Sequence, residues 1–500
     1  MRYLPNGKQM SEADAHTIHE IGIPSLVLME RAALQIVETM HKKNISTEKN
    51  LIVCGSGNNG GDGFAVARLL TEQGKHADVL FAGREASFSE ECRCQKQIVE
   101  NMGISVFTEF PDEEYTVIID AVFGVGLCRE ITGHYKDVID WMNLQDAEKV
   151  AVDIPSGICA ATGEILGTAF RADLTVCMAC VKLGCELFPG KSYAGESIPV
   201  AIGIDPKYFS NHLDVCYTFD KNDLGKLLPS RMMNSHKGSY GKVLMITGSP
   251  GMAGAAFLSA CAAYTVGAGL VQIYTASENR LALQELLPEA IISCYDSYDD
   301  SQLSHLLDWA DVVCIGCGLG MGQISEKILK NVLKNVSCPC VIDADGLNLL
   351  SRNIELLNQC CAPVILTPHM KEMSRLTGYS VQELKDNRRE LLRKYTEKVH
   401  AVCVLKDSRT LVKAPEGRLM INTTGNAAMA KAGSGDVLAG MITGLMAQHM
   451  RPDDAAVLGV YLHGLCGDHA RKELGSYSVL AGDLLKMLGR TLKELEDMTE

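Results

Sequence analysis

The run Ile52–Ala65 reads IVCGSGNNGGDGFA. An apolar strand enters a glycine-dense loop, and a helix is expected to leave it. Strand, loop and helix in that order form the βα unit from which parallel sheets are built. Glycine supplies backbone angles that other residues avoid. It also lets N–H groups approach a phosphate, while the helix N-terminus adds positive potential. No GK[ST] follows, so this is not a P-loop, and the spacing is not GxGxxG either. A tight βα turn is the plainer alternative, but a turn alone does not need Asn58, Asn59 and Asp62.

The same alternation extends outward along the chain. Short apolar runs occur at Leu51–Cys54, Ala77–Phe81, Val117–Ile119, Val150–Ile154, Leu174–Met178 and Ile198–Ile202. A second set occurs at Val243–Ile246, Leu270–Tyr274, Val312–Ile315, Cys340–Ile342, Val364–Leu366 and Val402–Leu405. These runs are nearly continuously apolar, as strands of a parallel sheet covered on both faces must be. Helical stretches separate them, so the fold class is α/β with doubly wound sheets. The 500 residues exceed what one core holds. The polar stretch Asp205–Arg231 has helical potential and no strong strand, and the pattern restarts after Gly241. Two domains are therefore expected, 1–215 and 225–500, with an amphipathic helix in the tail beyond Leu485.

Composition narrows the function classes. Apolar residues make up 47% and charged residues 22%, ordinary values for a globular protein. A formal charge of −14 disfavours gripping nucleic acid, which is held by Lys and Arg. The first ten residues do not resemble a signal peptide, and no apolar run is long enough to span a membrane. Nineteen cysteines in a chain this long do not read as a secreted disulfide scaffold. A reducing cytoplasm is the expected setting. The pairs Cys177/Cys180 and Cys314/Cys317 lie in apolar sequence with no nearby His, so buried structural thiols are expected rather than a metal or redox site.

Further motifs follow other strand ends, where α/β sheets place ligands. Ile119–Arg129 reads IDAVFGVGLCR, with Asp120 closing a strand before Gly124 and Gly126. Val152–Gly157 reads VDIPSG, with Asp153 at a strand end and Ser156 in the turn. Either Asp could cap a turn, hold a cation or accept a proton, but three such ends in one domain favour a common site. Together with GIPSLVLMERAA at Gly22–Ala33, these motifs resemble the epimerase domain of the NAD(P)H-hydrate repair enzymes. The resemblance covers roughly residues 1–215. It implies a Rossmann-like three-layer domain with a bound potassium ion, held by Asn59, Asp120 and Ser156. It also implies substrate contacts from Asn58, Asn59, Gly60, Gly61 and Asp62, from Gly124, Val125, Gly126, Leu127, Cys128 and Arg129, and from Asp153. Asp120 and Asp153 are the catalytic candidates. Oxygen ligands from Asn, Asp and Ser suit a hard cation.

The second half repeats the strand–glycine–helix pattern in Lys237–Gly254, KGSYGKVLMITGSPGMAG. Gly316–Gly322 reads GCGLGMG; Asp343 and Asp345 sit in VIDADGLNLL; His369 sits in LTPHMKE. A lone His is commonly a satisfied core or turn residue, but Pro368 fixes this turn and aims the side chain outward. The run Gly425–Gly440, GNAAMAKAGSGDVLAG, places Asp436 behind Gly433–Gly435 at the start of an apolar helix. Backbone amides there form an anion hole. Asp436 could take a proton from a substrate hydroxyl, or could be a plain N-cap.

In order, these motifs resemble the ADP- or ATP-dependent NAD(P)H-hydrate dehydratase domain, over about residues 225–500, and imply a ribokinase-like α/β fold. By that resemblance Ala253, Gly320, His369 and Asp436 contact the hydrated cofactor, with Asp436 catalytic. Lys406, Asp407, Ser408, Arg409, Thr410 and Gly435 contact the adenine nucleotide, which brings Mg2+. Two positions depart from the family pattern: Lys371 and Asp407 each stand where it has glycine.

The implied reaction is metabolite repair. Water added at C6 of the dihydronicotinamide ring gives R and S epimers; one domain interconverts them and the other dehydrates S at the expense of ADP or ATP. The expected partners are these small molecules, not nucleic acid or membrane, and the chain is expected to form a homo-oligomer. The rival reading is a ribokinase-like small-molecule kinase with a non-catalytic nucleotide-binding first domain.

Overall fold

The computed structural model describes residues 1–498. Residues 499 and 500 of the expected 225–500 domain and tail helix lie outside the described residues. The chain divides into two compact units, Arg2–Cys216 and Tyr217 onward.

Among the described residues the sheet of the first unit has seven strands: β1 (Lys49–Cys54), β2 (His76–Phe81), β3 (Val106–Phe107), β4 (Val117–Ala121), β5 (Glu148–Val152), β6 (Leu174–Met178) and β7 (Glu196–Val200). Their order in the sheet is β3-β2-β1-β4-β5-β6-β7, parallel throughout. The direction of winding reverses between β1 and β4, and at that switch point the sheet opens a crevice at the carboxyl ends of its strands. Alternate residues explain the continuous apolar runs. Ile52, Cys54, Val79, Ile119 and Val152 join one buried cluster with the Ser25–Lys42 and Asn58–Glu72 helices. Leu51, Val53, Leu80, Ile118 and Ala151 join another with Val138, Ile139 and Met142 of the His134–Leu144 helix. The Ser25–Lys42 helix buries Leu28, Met29, Ala32, Ala33, Ile36, Val37 and Met40, a stripe at helical spacing.

The second unit holds β8 (Cys216–Thr218), β9 (Lys242–Ile246), β10 (Leu270–Ala276), β11 (Ile291–Tyr295), β12 (Val312–Ile315), β13 (Cys340–Ile342), β14 (Val364–Leu366), β15 (Val402–Leu405), β16 (Leu411–Lys413) and β17 (Met420–Ile421). They run in the order β8-β17-β16-β15-β14-β13-β12-β9-β10-β11. From β11 to β15 the sheet is parallel; β16 pairs antiparallel with both β15 and β17. The short strand β8 falls inside the Asp205–Arg231 stretch that reads as strandless, because three residues of a mixed run carry too little pattern to register. Its Cys216 and Thr218 are nevertheless buried.

The apolar helices Ala253–Thr265 and Ser434–Ala447 pack against each other closely. A Cβ on Gly440 would lie 2.0 Å from the carbonyl oxygen of Ser259. Gly440→Ala forces backbone apart and is expected to cost at least about 1–3 kcal/mol. A lowered midpoint of thermal unfolding checks this; an unchanged midpoint would show that the helices do not meet this closely.

Candidate active sites

In the first unit a cavity of about 730 Å3 opens at the carboxyl ends of β1, β4, β5 and β6. Asn58, Asn59 and Asp62 line it from the start of the Asn58–Glu72 helix after β1; Gly124, Val125, Gly126, Leu127, Cys128 and Arg129 from the loop after β4; and Asp153 from the end of β5. Gly60 and Gly61 do not line it. They are buried on the inner side of the Asn58–Glu72 helix, where a Cβ on Gly60 would lie 2.0 Å from the Gly55 carbonyl oxygen. Those glycines let the helix start against the strand and so position the polar residues beside them.

Asp120 lies behind the cavity wall, fully buried. Its carboxylate accepts from the Ser156 hydroxyl (2.6 Å), the Ser156 N–H (2.7 Å) and the Val122 N–H (3.2 Å). The Ser156 hydroxyl accepts from the Phe123 N–H at 2.8 Å. Burial pushes Asp120 up to about 6, against the opposing hydrogen bonds from Ser156 and Val122. Asn59 packs beside Gly124, where a Cβ would meet its Oδ1 at 3.6 Å, and its buried Nδ2 has no hydrogen-bond partner among the described residues. A buried carboxylate held by neutral donors beside a side-chain amide is a site that suits a monovalent cation.

Asp153 sits at φ +71°, a left-handed conformation uncommon outside glycine that turns its side chain toward the cavity. Its Oδ1 accepts from the Met178 N–H at 2.9 Å and from Lys182. Lys182 is fully buried, also donates to the Met178 carbonyl at 2.8 Å, and lines the same cavity. Burial alone would lower the Lys182 ammonium; the Asp153 charge outweighs it and the net shift is upward. Asp62 is shifted upward as well: loss of solvation, then Asp153 and Asp14, hold its carboxyl well above the usual range. The cavity thus gathers partly or fully buried titratable groups, Asp14, Asp62 and Lys182, each shifted upward, and perturbed groups of this kind cluster at functional sites. Sequence reasoning missed Lys182 and Asp14. A lysine inside LTVCMACVKLG was the available signal, since a charge within an apolar run is either its end or a buried pair.

In the second unit Cys317 after β12, Asp343 after β13 and Lys406 after β15 meet at the N-terminus of the Ser434–Ala447 helix. Gly433, at φ +89°, turns the chain so that Ser434, Gly435 and Asp436 begin that helix. The ligand atoms of Cys317, Asp343 and Asp436 lie within 4.8 Å of one another. Lys406 donates to Asp343 Oδ1 at 2.7 Å, and its Nζ lies 3.2 Å from where a Cβ on Gly435 would stand. An ammonium therefore sits beside the helix-start amides. Burial alone would lower the Lys406 ammonium, and Asp343, then Glu372, more than offset it. Asp436 is raised to about 6 by burial and by Asp343. At neutral pH it is ionised and basic enough to take a proton.

His369 caps the Met370–Thr377 helix. Its Nδ1 accepts from the Lys371 and Glu372 N–H groups at 3.1 Å each, while Glu372 Oε2 accepts from the His369 N–H at 2.8 Å. Burial and Lys406 lower the His369 pKa; with Nδ1 accepting two backbone N–H groups, the proton of a neutral ring lies on Nε2, 3.4 Å from Glu372 Oε1. Glu372, pushed up to about 7 by burial, is the partner that the His-x-x-Glu spacing signals. Gly320 donates its N–H to Asp345 Oδ2 at 2.8 Å. Ala253 opens the helix against which the Gly316–Gly322 loop packs, through Ala255 and Met252.

The two departures from the glycine pattern are accommodated. Lys371 is an exposed residue of the helix His369 caps, and only its backbone is used. Asp407 pairs with Arg388 at 3.2 Å and accepts from the Ser408 N–H at 2.8 Å, while Thr410 donates to the Asp407 carbonyl at 3.3 Å. Arg409 donates to the Thr423 carbonyl at 3.1 Å. The Lys406–Thr410 loop is therefore folded on itself, with only the Lys406 side chain among these contacts directed to Asp343 and Gly435. Cys177, Cys180, Cys314 and Cys317 are buried and free. Cys317 lies 3.9 Å from Asp343 Oδ2, so one of these thiols packs against the site itself.

The folds and sites define a two-part α/β enzyme, a Rossmann-like unit followed by a ribokinase-like one. Residues 25–184 match the family model "YjeF-related protein N-terminus" and residues 243–490 match "NAD(P)H-hydrate dehydratase". The bifunctional NAD(P)H-hydrate repair enzyme Nnr of Moorella thermoacetica is 36% identical over 100% of this chain and 98% of its own length. That of Escherichia coli K12 is 34% identical over 94% of this chain and 90% of its own. The crystal structure of the ADP/ATP-dependent NAD(P)H-hydrate dehydratase from Bacillus subtilis, co-crystallised with ATP/Mg2+, superposes with a TM-score of 0.51 at 32% identity, covering 57% of this chain and all of that one. The chain belongs to the bifunctional NAD(P)H-hydrate repair enzymes, which makes it an enzyme of metabolite repair.

Proposed function

We propose that residues 1–215 interconvert the R and S epimers of hydrated NADH or NADPH, and that residues 225–500 dehydrate the S epimer with ADP or ATP. The observation that carries this is the Asp436 carboxylate, raised to about 6, at a glycine-flanked helix start beside Lys406. Asp436 accepts the proton of the C6 hydroxyl as its oxygen attacks the terminal phosphoryl group. The helix-start amides, Gly435 among them, and the Lys406 ammonium face the charge that develops on the transferring group. The C6–O bond then breaks, inorganic phosphate leaves, and loss of the C5 proton to that phosphate restores the C5–C6 double bond. His369 presents its Nε2–H as a donor to the hydrated ring, and Ala253 and Gly320 bound the pocket. The Lys406–Thr410 loop receives the nucleotide. Mg2+ would be held by the nucleotide phosphates with Asp343, whose carboxylate oxygens suit a hard cation; it would neutralise phosphate charge when bound.

In the first domain a carbinolamine epimerises when its hydroxyl proton leaves, the C6–N1 bond opens to an aldehyde, and the ring recloses on the other face. Asp153 and Lys182 are placed to take and return those protons, with Asn58, Asn59, Asp62 and the Gly124–Arg129 loop holding the dinucleotide. Potassium at Asn59, Asp120 and Ser156 would compensate the buried Asp120 charge. That gives a measurable stability effect. An acid raised from 3.8 to about 6 on folding contributes stability below the lower value and loses it as pH rises through the upper one. Potassium should therefore raise the thermal midpoint well above pH 6 and have little effect near pH 4, and Asp120→Asn should lose the response. Equal midpoints in potassium and choline chloride at neutral pH would count against the ion.

All nineteen cysteines are free, which suits a reducing cytoplasm. Among the described residues no helix is long and apolar enough to cross a membrane. Exposed Ile21, Leu26, Val27 and Leu34 support a homo-oligomer. The test of the whole reading is to supply mixed hydrate epimers with ADP or ATP and follow recovery of reduced-nicotinamide absorbance. Recovery of both epimers is expected. A stable phosphorylated product in place of NAD(P)H would identify a kinase instead.

A further inference from the structure

The Pro452–Ser478 helix carries the loop that ends at the glycine-flanked helix start. One of its faces is core: Ala455, Leu458, Leu462, Cys466 and Ala470 are fully buried at helical spacing. Its run Tyr461–Asp468, YLHGLCGD, faces the loop. Thr424 lies directly on the helix, for a Cβ on Gly464 would stand 2.7 Å from the Thr424 carbonyl carbon. Thr424 Oγ1 donates to the Tyr461 carbonyl at 3.0 Å. This close approach accounts for a glycine that costs a helix interior roughly 1 kcal/mol against alanine.

Two polar side chains of the same run hold the two ends of the loop. Asp468 accepts from the Gly425 N–H at 3.0 Å and from Asn426 Nδ2 at 2.8 Å, one carboxylate oxygen to each. Asn426 Oδ1 in turn accepts from the Ala428 N–H at 3.0 Å. At the far end His463 Nε2 lies 2.9 Å from the Ser434 carbonyl oxygen and 3.2 Å from the Ser434 hydroxyl. A carbonyl only accepts, so Nε2 carries a proton and donates it. Ser434, Gly435 and Asp436 open the helix at the site described above. Neither His463 nor Asp468 is assigned a contact with hydrate or nucleotide; each acts through the loop.

We propose that His463 and Asp468 are positioning residues for dehydration, fixing both ends of the Gly425–Gly435 loop on one helix and so setting where the helix-start amides and Asp436 stand against the transferring phosphoryl group. The assignment rests on the dehydratase reading above.

The test uses the full chain, the purified S epimer and ATP with Mg2+, and measures kcat and KM separately beside the thermal midpoint. His463→Leu removes the donor and should lower kcat at least about tenfold with KM for the hydrate close to wild type, because a misplaced reacting group slows the chemical step. His463→Gln brings an amide N–H to the place of Nε2 and should restore most of that kcat. At the other end Asn426→Asp sets a carboxylate against Asp468 and should lower kcat likewise. The exchange Asn426→Asp/Asp468→Asn rebuilds an amide–carboxylate contact with the roles reversed and should recover it. These last two variants carry the test if His463→Leu does not fold. Wild-type kcat in both His463→Leu and Asn426→Asp overturns the assignment, even where the thermal midpoint falls, since the contacts are then structural only. A loss of kcat that neither His463→Gln nor the exchange reverses overturns it as well. If wild type itself yields no NAD(P)H from the S epimer, the dehydratase reading fails and this assignment falls with it.

Discussion

Asp436→Asn should abolish nucleotide-dependent dehydration while leaving epimerisation intact. A positioned base contributes on the order of 10² to 10⁴ in rate, and the amide keeps the shape of the helix start while removing the basicity. Dehydration by wild type should also fall as pH drops below about 6, because the protonated carboxyl can no longer accept the hydroxyl proton. Stability moves the opposite way. Burial and Asp343 raise this acid on folding, so its ionised form weakens the fold above about 6, and the neutral amide should raise the thermal midpoint at about pH 7.5. Loss of activity together with a higher midpoint is a pattern that a folding defect cannot produce. Near wild-type dehydration by the variant would sink the assignment of Asp436 as base.

Most of the sheet could be read from the chain because strands covered on both faces must be continuously apolar. Leu51 and Val53 bury on one side of β1 while Ile52 and Cys54 bury on the other. The strands that escaped reading lack that property. Ile291–Tyr295 lies at a sheet edge with most of its residues partly exposed, and Met420–Ile421 and Val106–Phe107 are too short to show a period. The site was legible where chemistry sits in a motif, as in Asn58–Asp62 or Gly433–Asp436. It was illegible where chemistry depends on a distant partner. Lys182 reads as the end of a strand until Asp153 is brought against it, and His463 reads as one polar residue of an apolar helix until it meets Ser434 at 2.9 Å. The converse also holds: Gly60 and Gly61 look like phosphate contacts in sequence, and the structure uses them to seat a helix.

The Asp153–Lys182 pair should carry epimerisation, and three variants separate its chemistry from its structural role. Removing either partner alone leaves a buried charge without its counterpart, which typically costs about 3–5 kcal/mol. Asp153→Asn and Lys182→Met should therefore each lower the thermal midpoint as well as slow the R epimer. The double variant Asp153→Asn/Lys182→Met removes both charges and should recover most of that stability, as replacement of a buried pair by neutral groups commonly does. It should not recover chemistry: repair of the R epimer should remain slowed by about 10² or more after subtraction of spontaneous interconversion. Repair of the S epimer should stay at the wild-type rate in all three, because that substrate bypasses the first domain. If the stable double variant repairs the R epimer as wild type does, the pair is structural and the protons move through Asp62 or Asp14, whose carboxyls line the same cavity and are raised by burial and by Asp153. Equal slowing of both epimers would instead mean that the substitutions disturb the second domain, and the division of labour between the two would have to be redrawn.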